Sequence, residues 1–265
     1  MTTGELWRTS WEWEPSVGVG CVLLAVVYLA VVRPLTPART AAWLGGMALI
    51  GLTLLGPLDV LGDEYLFSAH MLEHLVFLVM APPLLLLGLP PETAARIVSW
   101  GPASCVERLL RRPAVAWLVG VVTLYAWHLP VFYNAALADE RVHIMQHLSF
   151  LVTATIFWWP VLAPLPDHRL SGHMAIGYLF FAAVANSVLG AVLTFSGPGS
   201  YPLYTRPTGD SPVLRLVRDG WGLDPAADQQ LGGLFMWVVG GLFFLAAILG
   251  MFGRWYRDSG RPGVP

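Results

Sequence analysis

The sequence predicts an all-α integral membrane protein, a bundle of seven transmembrane helices. Of its 265 residues, 56% are hydrophobic and only 12% are charged, and the mean hydropathy is +0.62. Soluble domains carry about twice that share of charged residues, so the composition favours a membrane protein. Several apolar runs approach the ~20 residues with which an α-helix crosses a bilayer core of ~30 Å. Helices are expected because lipid offers backbone polar groups no hydrogen-bond partner.

Seven apolar runs, each bounded by charged residues, proline or glycine, are the predicted spans. Their approximate limits are residues 15–32, 41–61, 66–89, 114–136, 142–163, 173–196 and 230–252. The polar link after the third run, PETAARIVSWGPASCVERLLRR, can hold a short amphipathic surface helix. The longest link, 197–229, is rich in Gly, Pro, Asp and Arg and is predicted to be a loop. Because no fixed-period repeat is present, residues 1–265 are expected to form a single polytopic membrane domain.

The arginines set the predicted orientation. All 15 basic residues are arginine, and short cytoplasmic loops of membrane proteins carry an excess of basic residues. With the N-terminus outside, ten arginines fall on the cytoplasmic side: Arg33, Arg39, Arg96, Arg108, Arg111, Arg112, Arg169, Arg254, Arg257 and Arg261. Five fall on the outer side: Arg8, Arg141, Arg206, Arg215 and Arg218. We therefore expect the N-terminus outside and the C-terminus inside.

The charge pattern argues against a nucleic-acid partner. The formal net charge is −2, and the arginines are scattered along the chain. A domain that binds nucleic acid needs basic residues concentrated on one face. Membrane lipid is the expected surrounding of most of the chain.

Five histidines lie at one depth in the predicted bundle. His70 and His74 open the third span, His143 and His147 open the fifth, and His128 lies in the outer half of the fourth. At ~1.5 Å per residue, they sit roughly 3 to 12 Å below the outer surface. Each pair is spaced i, i+4, so both of its rings project from one helix face. The two pairs and His128 can therefore converge.

The shared depth of these histidines favours a metal site over five separate interfacial side chains. A single histidine near a span end more often keeps its polar tip in water. Ionisable side chains inside a span are costly and usually mark function, and neutral imidazole is a common metal ligand. The predicted metal ligands are His70, His74, His128, His143 and His147. The other two histidines, His168 and His173, are expected to be interfacial.

Sulfur and carboxylate groups nearby bear on the choice of metal. Met71 and Met236 lie in the outer half, and thioether ligands favour Cu(I), whereas imidazole suits copper, zinc and iron alike. A methionine in an apolar helix is nevertheless more often a core side chain. Glu73 shares the face of the third-span pair, and Asp228 opens the last span. Either carboxylate could orient a histidine ligand by hydrogen bonding.

The residues alone leave three other functions open. The motif HMLEH fits the H-x-x-E-H pattern of zinc peptidases, in which two histidines hold zinc and the glutamate is the general base. A haem-binding membrane protein is the second, although axial ligands to one haem would leave one histidine pair unexplained. Transport of a small solute is the third, and it is weakened by the lack of mid-bilayer charges and of paired broken helices.

Four motifs occur in an order that resembles a known family. They are HMLEHLVFLVMAPPLLLLGLP, WHLP followed by YNAAL, HIMQHLSFLVTATIFWWPV, and DQQLGGLFMW. Together they cover roughly residues 65–252 and resemble the multi-pass CtaG family of cytochrome c oxidase assembly factors, first associated with caa-type oxidases. Position by position, the histidines of the family match His70, His74, His128, His143 and His147, and its acidic start to the last helix matches Asp228.

The resemblance implies a multi-pass protein of the bacterial plasma membrane that helps copper reach a haem–copper oxidase, with oxidase subunits as partners. The copper centres of these oxidases lie at or near the outer face, where the histidines are predicted. A shallow site of exchangeable imidazoles suits a carrier that releases Cu(I) better than a closed thiolate site does. We expect transfer by ligand exchange without enzymatic activity, and contact with the oxidase through the 197–229 loop or the acidic N-terminus.

Overall fold

A computed structural model describes residues 1–12, 14–205 and 211–259, and within them every regular element is a helix. The all-α prediction is confirmed for this part of the chain. The principal helices are α1 (Thr3–Thr9), α2 (Pro15–Val31), α3 (Pro37–Leu55), α4 (Pro57–Glu64), α5 (Phe67–Gly88), α6 (Pro91–Ser99), α7 (Gly101–Leu110), α8 (Pro113–His128), α9 (Pro130–Ala138), α10 (Glu140–Leu162), α11 (Gly172–Phe195) and α12 (Pro225–Ser259).

The described residues contain five helices long and apolar enough to cross a membrane, namely α3, α5, α10, α11 and α12. Helices α2 and α8 occupy the first and fourth predicted spans but have only 17 and 16 residues. At ~1.5 Å per residue they are somewhat shorter than a bilayer core. Helix α8 also follows α7 at an angle of 85°. The protein is a multi-pass helical membrane protein, and the count of seven spans stays a prediction.

Proline breaks two of the predicted spans. Within the predicted run 41–61, α3 ends before Pro57, where the separate helix α4 begins. Within the run 114–136, α8 ends before Pro130, where α9 begins. Proline has no N–H to donate and disfavours the helical conformation of the residue before it. Hydropathy alone misses both breaks because the residues on either side are apolar.

The links between spans contain further short helices. Helices α6 and α7 lie in the polar link after the third span, where the sequence predicts a surface helix. The long link includes short helical turns at Pro202–Thr205 and Pro212–Arg215. Two arginines that entered the predicted orientation, Arg206 and Arg261, lie outside the described residues.

Two of the long helices change their hydrogen-bond register partway along. Helix α5 is π-helical over Val76–Met80, and α12 is π-helical over Phe235–Val239. Such single-turn segments interrupt the regular ladder of a helix and are frequent at functional sites. Trp158 Nε1 donates to a carbonyl of the first segment at 2.8 Å, and Asn186 Nδ2 donates to one of the second at 2.6 Å. Neighbouring helices thus satisfy the interrupted backbone.

Helices α11 and α12 approach closely because glycines lie between them. A Cβ added to Gly190 would lie 2.6 Å from the backbone nitrogen of Trp237, and one added to Gly233 would contact the backbone of Thr194. Small residues at such contacts let helix backbones pack tightly in membranes. The start of α12 is thereby held beside α11.

A small apolar cluster covers the end of the bundle at which α5, α10 and α12 begin. We call this the histidine end. The cluster, called the cap below, consists of Leu6 on α1, Leu61 on α4, Leu66, Ala69 on α5, and Val217 in the long link. Because the cap ties α1 and the long link to α4, it holds α4 against the first turns of α5.

Candidate metal centre

The structure brings all five predicted histidines together at the histidine end. Ring centroids are 4.4 Å apart for His70 and His74, and 4.2 Å apart for His143 and His147. Between helices, His70 lies 5.3 Å from His143, and His74 lies 5.1 Å from His128. Four of the residues are at most 7% exposed, and the side chain of His143 is 12% exposed. The i, i+4 spacing on α5 and α10 thus produces two facing pairs.

Five of the ten ring nitrogens of the cluster are buried and have no hydrogen-bond partner among the residues that the structure describes. This holds for both nitrogens of His70 and for Nε2 of His74, His143 and His147. A buried polar atom without a partner is costly, and a bound ligand would relieve that cost. Neutral imidazole carries a lone pair on one nitrogen. The cluster is therefore chemically suited to a metal cation.

Four side chains form a group that can hold one metal ion, called the ligand group below. One donor atom from each of His70, Glu73, His143 and His147 lies within 4.8 Å of the others. Within it, His70 Nδ1 is 3.6 Å from Glu73 Oε2. Imidazole and carboxylate donors suit Cu(II) and Zn(II). Glu73, predicted to orient a histidine, is itself a candidate ligand.

His74 and His128 form a hydrogen-bonded pair beside the ligand group. His128 Nδ1 lies 2.7 Å from the carbonyl oxygen of Leu124 and donates to it, so its Nε2 is the acceptor nitrogen. His74 Nδ1 then donates to this Nε2 at 3.3 Å. The lone pair of His74 is left on its unpartnered Nε2. In this arrangement His128 orients His74 through a hydrogen bond, as groups around metal ligands commonly do.

Two acidic residues on α4 border the histidines, and sequence reasoning missed both. The Asp63 carboxylate lies 3.4 Å from His143 Nδ1 and 3.7 Å from His70 Nδ1. Asp59, Asp63 and Glu73 also form a second group whose oxygens lie within 4.8 Å of one another. The signal in the sequence was the acidic stretch DVLGDE, which begins at the end of the predicted run 41–61 and continues into the link before the third span.

Tyrosines close the site and were also not predicted. Tyr204 Oη donates to the Gly62 carbonyl on α4 at 2.6 Å, and Tyr201 Oη donates to the His128 carbonyl at 2.8 Å. Tyr133 on α9 lies with its hydroxyl 3.2 Å from that of Tyr204. The long link is thereby fastened to the two helices that border the cluster, α4 and α8.

A buried amide lies next to the histidines of α10. Gln146 is fully buried, and neither its oxygen nor its nitrogen has a hydrogen-bond partner. Its position directly before His147 gives no sequence signal by itself, because an isolated glutamine in a helix is usually exposed.

The other predicted contributors make hydrogen bonds or packing contacts of their own. The Asp228 carboxylate accepts from the backbone N–H groups of Phe67 and Ser68 at 2.8 and 3.0 Å, so it caps the start of α5. Met71 and Met236 are fully buried members of the apolar core. The hydrogen bonds of Asp228 thus go to the helix that carries His70 and His74 rather than to a histidine.

The remaining histidines lie outside the cluster, as the sequence predicts. His168 Nδ1 is 2.6 Å from a carboxylate oxygen of Glu107, in the region where α7 meets the end of α10. His173, at the start of α11, is exposed.

Comparison with known protein families agrees with the four motifs. A family model described as "Cytochrome c oxidase caa3 assembly factor", Caa3_CtaG, matches residues 23–258. The chain belongs to this family. The resemblance carried by the motifs is therefore confirmed, and the matched range includes all five histidines, Glu73 and Asp228.

The Caa3_CtaG family member also has curated mycobacterial relatives. An uncharacterized protein of Mycobacterium leprae is 25% identical over a 280-residue alignment, which covers 97% of this chain and 41% of the relative. Uncharacterized proteins of Mycobacterium bovis and Mycobacterium tuberculosis are each 26% identical over 277 residues, covering 96% of this chain and 40% of theirs. The chain thus spans about two fifths of the length of these relatives. No solved structure matches it.

Proposed function

We propose that this assembly factor binds copper in its histidine cluster and passes it to a copper centre of the oxidase. The observation that carries the proposal is the group of buried, unpartnered imidazole nitrogens around Glu73, on a chain whose family assembles cytochrome c oxidase. Copper is the expected cargo because these oxidases need it and because imidazole is among its preferred ligands. Transfer by ligand exchange requires no enzymatic step.

The donors around the cluster bear on the oxidation state of the copper. The expectation of Cu(I) rests on the thioethers of Met71 and Met236, and both side chains pack in the apolar core. The donors of the ligand group are nitrogen and oxygen, which suit Cu(II). Titration of the metal-free protein with Cu(I) and with Cu(II), each under matched redox conditions, distinguishes the two forms.

The proposed setting is the bacterial plasma membrane, with the histidine end facing outward. The arginine bias supports this orientation. It is tested by single cysteines at Ser200 and at Ser99, in a background with both native cysteines replaced by serine. A membrane-impermeant maleimide should label Ser200→Cys in intact cells and Ser99→Cys only after lysis. The reverse pattern would point the cluster to the cytoplasm and remove the basis for delivery to an outward-facing copper centre.

The decisive experiment is the metal content of the full chain purified in detergent. Wild type loaded with copper and then dialysed should retain it, whereas His70→Ala/His74→Ala should lose nearly all of it. The control is His173→Ala, because His173 is an exposed histidine outside the cluster. Retention of copper by the double variant would overturn the proposal.

A cellular experiment tests the assembly role itself. Deleting the gene should lower oxidase activity while the oxidase polypeptides are still made, and added copper should partly restore the activity. Complementation with the double histidine variant should fail, and complementation with His173→Ala should succeed. Normal oxidase activity together with an accumulated uncleaved membrane protein would instead favour the metallopeptidase.

The arrangement of the histidines supports the copper carrier over the two other metal functions. In the peptidase pattern the two histidines of HMLEH bind the metal together, whereas the ligand group here contains His70 and Glu73 of this motif and not His74. For haem, axial ligation of one iron would use only two of the five clustered histidines and would leave the others unexplained.

A further inference from the structure

Glu73 belongs to two clusters of side chains at once. It is a member of the ligand group, and its carboxylate also lies within 4.8 Å of oxygens of Asp59 and Asp63. Among the described residues neither oxygen of Glu73 has a hydrogen-bond partner, and Glu73 has no exposed surface. Asp63, in contrast, keeps 35% of its side chain exposed. The two clusters together form a continuous series of donors from water to the buried histidines.

We propose that Asp59, Asp63 and Glu73 form a second cation site, a carboxylate port through which divalent copper passes between water and the histidine cluster. The port rests on the proposed function, since it has a use only if the histidines hold copper. Glu73 is the ligand common to both positions. Carboxylates bind divalent cations, and imidazole is the better ligand for Cu(II). Because imidazole is the better ligand, the ion is expected to move from the carboxylates of the port to the histidines.

The buried state of Glu73 distinguishes the port from an ordinary acidic surface. Clusters of exposed carboxylates are common because water solvates each of them. Glu73 has no such solvation, and a buried carboxylate without hydrogen bonds or a cation is strongly disfavoured. Two further carboxylates within 4.8 Å add to that penalty when ionised. A divalent cation among the three would relieve both the repulsion and the lost solvation.

The distances allow transfer without movement of the backbone. From the port, Asp63 lies 3.4 Å from His143 Nδ1 and 3.7 Å from His70 Nδ1. The ion exchanges a carboxylate oxygen for an imidazole nitrogen that donates its lone pair, while Glu73 stays bound. No electron is transferred, and the carboxylates of Asp59 and Asp63 are both released as the imidazoles bind. The copper remains Cu(II) throughout the exchange.

The port and the histidine cluster lie next to each other because Gly62 has no side chain. Gly62 lies on α4 between Asp59 and Asp63 in sequence. Its carbonyl oxygen accepts a hydrogen bond from the Tyr204 hydroxyl. A Cβ at this position would lie 2.9 Å from Glu73 Oε2 and 3.0 Å from the backbone nitrogen of His70. Any side chain larger than hydrogen would separate α4 from α5. The close approach therefore keeps the carboxylates of α4 within exchange distance of the histidines.

The test compares the rate of copper uptake with the amount finally bound. Metal-free full-length protein in detergent is mixed with Cu(II) in a stopped-flow instrument, and quenching of tryptophan fluorescence is followed. Asp59→Asn/Asp63→Asn should slow loading by about tenfold, in line with the electrostatic contribution of a charged entrance to association rates. The amount of copper held by the histidines after prolonged incubation should stay at the wild-type level. The matched control is Glu64→Gln, an exposed acid on the same helix.

The outcomes separate the port from the proposed function. Slow loading to full occupancy in the aspartate variant, with Glu64→Gln at the wild-type rate, supports the port. Wild-type loading rates in the aspartate variant would overturn the port while leaving the copper carrier intact. Wild-type protein that takes up no Cu(II) would overturn both. If the double variant does not elute as a single monodisperse species, the single, partly exposed Asp63→Asn carries the same comparison.

Discussion

Two carboxylates at the histidine end are equally buried but have opposite surroundings. Asp228 has no exposed surface and accepts two backbone N–H groups at the start of α5. Glu73 also has no exposed surface, and neither of its oxygens has a hydrogen-bond partner in the part of the chain that the structure describes. A buried carboxylate with its hydrogen bonds formed stabilises the fold, whereas one without them marks a place for a cation. Burial alone therefore does not identify a functional acid.

The largest expected effect on stability comes from removing the satisfied carboxylate. Asp228→Ala leaves the N–H groups of Phe67 and Ser68 buried without an acceptor, which should cost about 2 to 4 kcal/mol in the free energy of unfolding. The measurement is thermal unfolding of the metal-free protein in detergent. Asp224→Ala is the control, because Asp224 also accepts two backbone N–H groups but at an exposed helix start. Its loss should cost only about 1 kcal/mol.

Removing the Glu73 carboxylate should leave the stability of the protein unchanged but weaken copper binding. Glu73→Gln replaces a buried acid that accepts no hydrogen bond from the described residues, so the melting temperature of the metal-free protein should not fall. Copper affinity should fall by about 10 to 100-fold because the ligand group loses its carboxylate. A melting temperature lowered as far as in Asp228→Ala would erase the distinction between the two acids. Full copper occupancy with complete loss of function would favour a general base in a peptidase.

A smaller loss of stability is expected from a substitution at Gly62, where α4 contacts the Glu73 carboxylate. Gly62→Ala places a methyl group 2.9 Å from Glu73 Oε2 and should displace α4, at a cost of about 1 to 3 kcal/mol. Copper affinity should fall with stability in isothermal titration. Gly45→Ala, on α3, is the control because a Cβ there meets nothing within 4 Å. Equal behaviour of the two variants would contradict the close contact.

The smallest effect is expected from the hydrogen bond that fastens the long link to α4. Tyr204→Phe removes the bond to the Gly62 carbonyl and should lower stability by about 0.6 kcal/mol, a value usual for single hydrogen bonds in membrane proteins. Tyr256→Phe, at a position 70% exposed, should change nothing. Chemical unfolding of both variants side by side gives the comparison. A loss above about 2 kcal/mol for Tyr204→Phe would mean that the tyrosine supports the whole site rather than one contact.

The histidine cluster could be predicted from sequence because spacing within a helix fixes which side chains share a face. The pairs His70/His74 and His143/His147 needed only this rule and the shared depth of their spans. The role of His128 could not be predicted in the same way. Its hydrogen bond to Leu124 fixes which ring nitrogen carries the proton, and spacing contains no information about that choice.

The contact between the acids of α4 and the histidines could not be predicted from the sequence. Asp59 lies at the end of the predicted run 41–61 and Asp63 in the link after it, where carboxylates are usually solvated. Their contact with the histidines depends on the turn at Pro57 and on Gly62, which fold α4 back onto α5. Asp228 was recognised as a notable acid, but its partners lie 160 and 161 residues away in sequence, at Ser68 and Phe67. Only the tertiary fold distinguishes a helix cap from a ligand.

The π segment of α5 has a consequence for how the two halves of that helix can change during evolution. One extra residue in a helix rotates everything beyond it by about 100°. The turn with His70 and His74 can therefore face α10, while Pro82 and Leu86, beyond Val76–Met80, take a buried face of their own. Substitutions that tune the packing of the second half leave the angular position of the histidines unchanged. The two halves of α5 therefore present their buried faces at different angles although the helix is continuous.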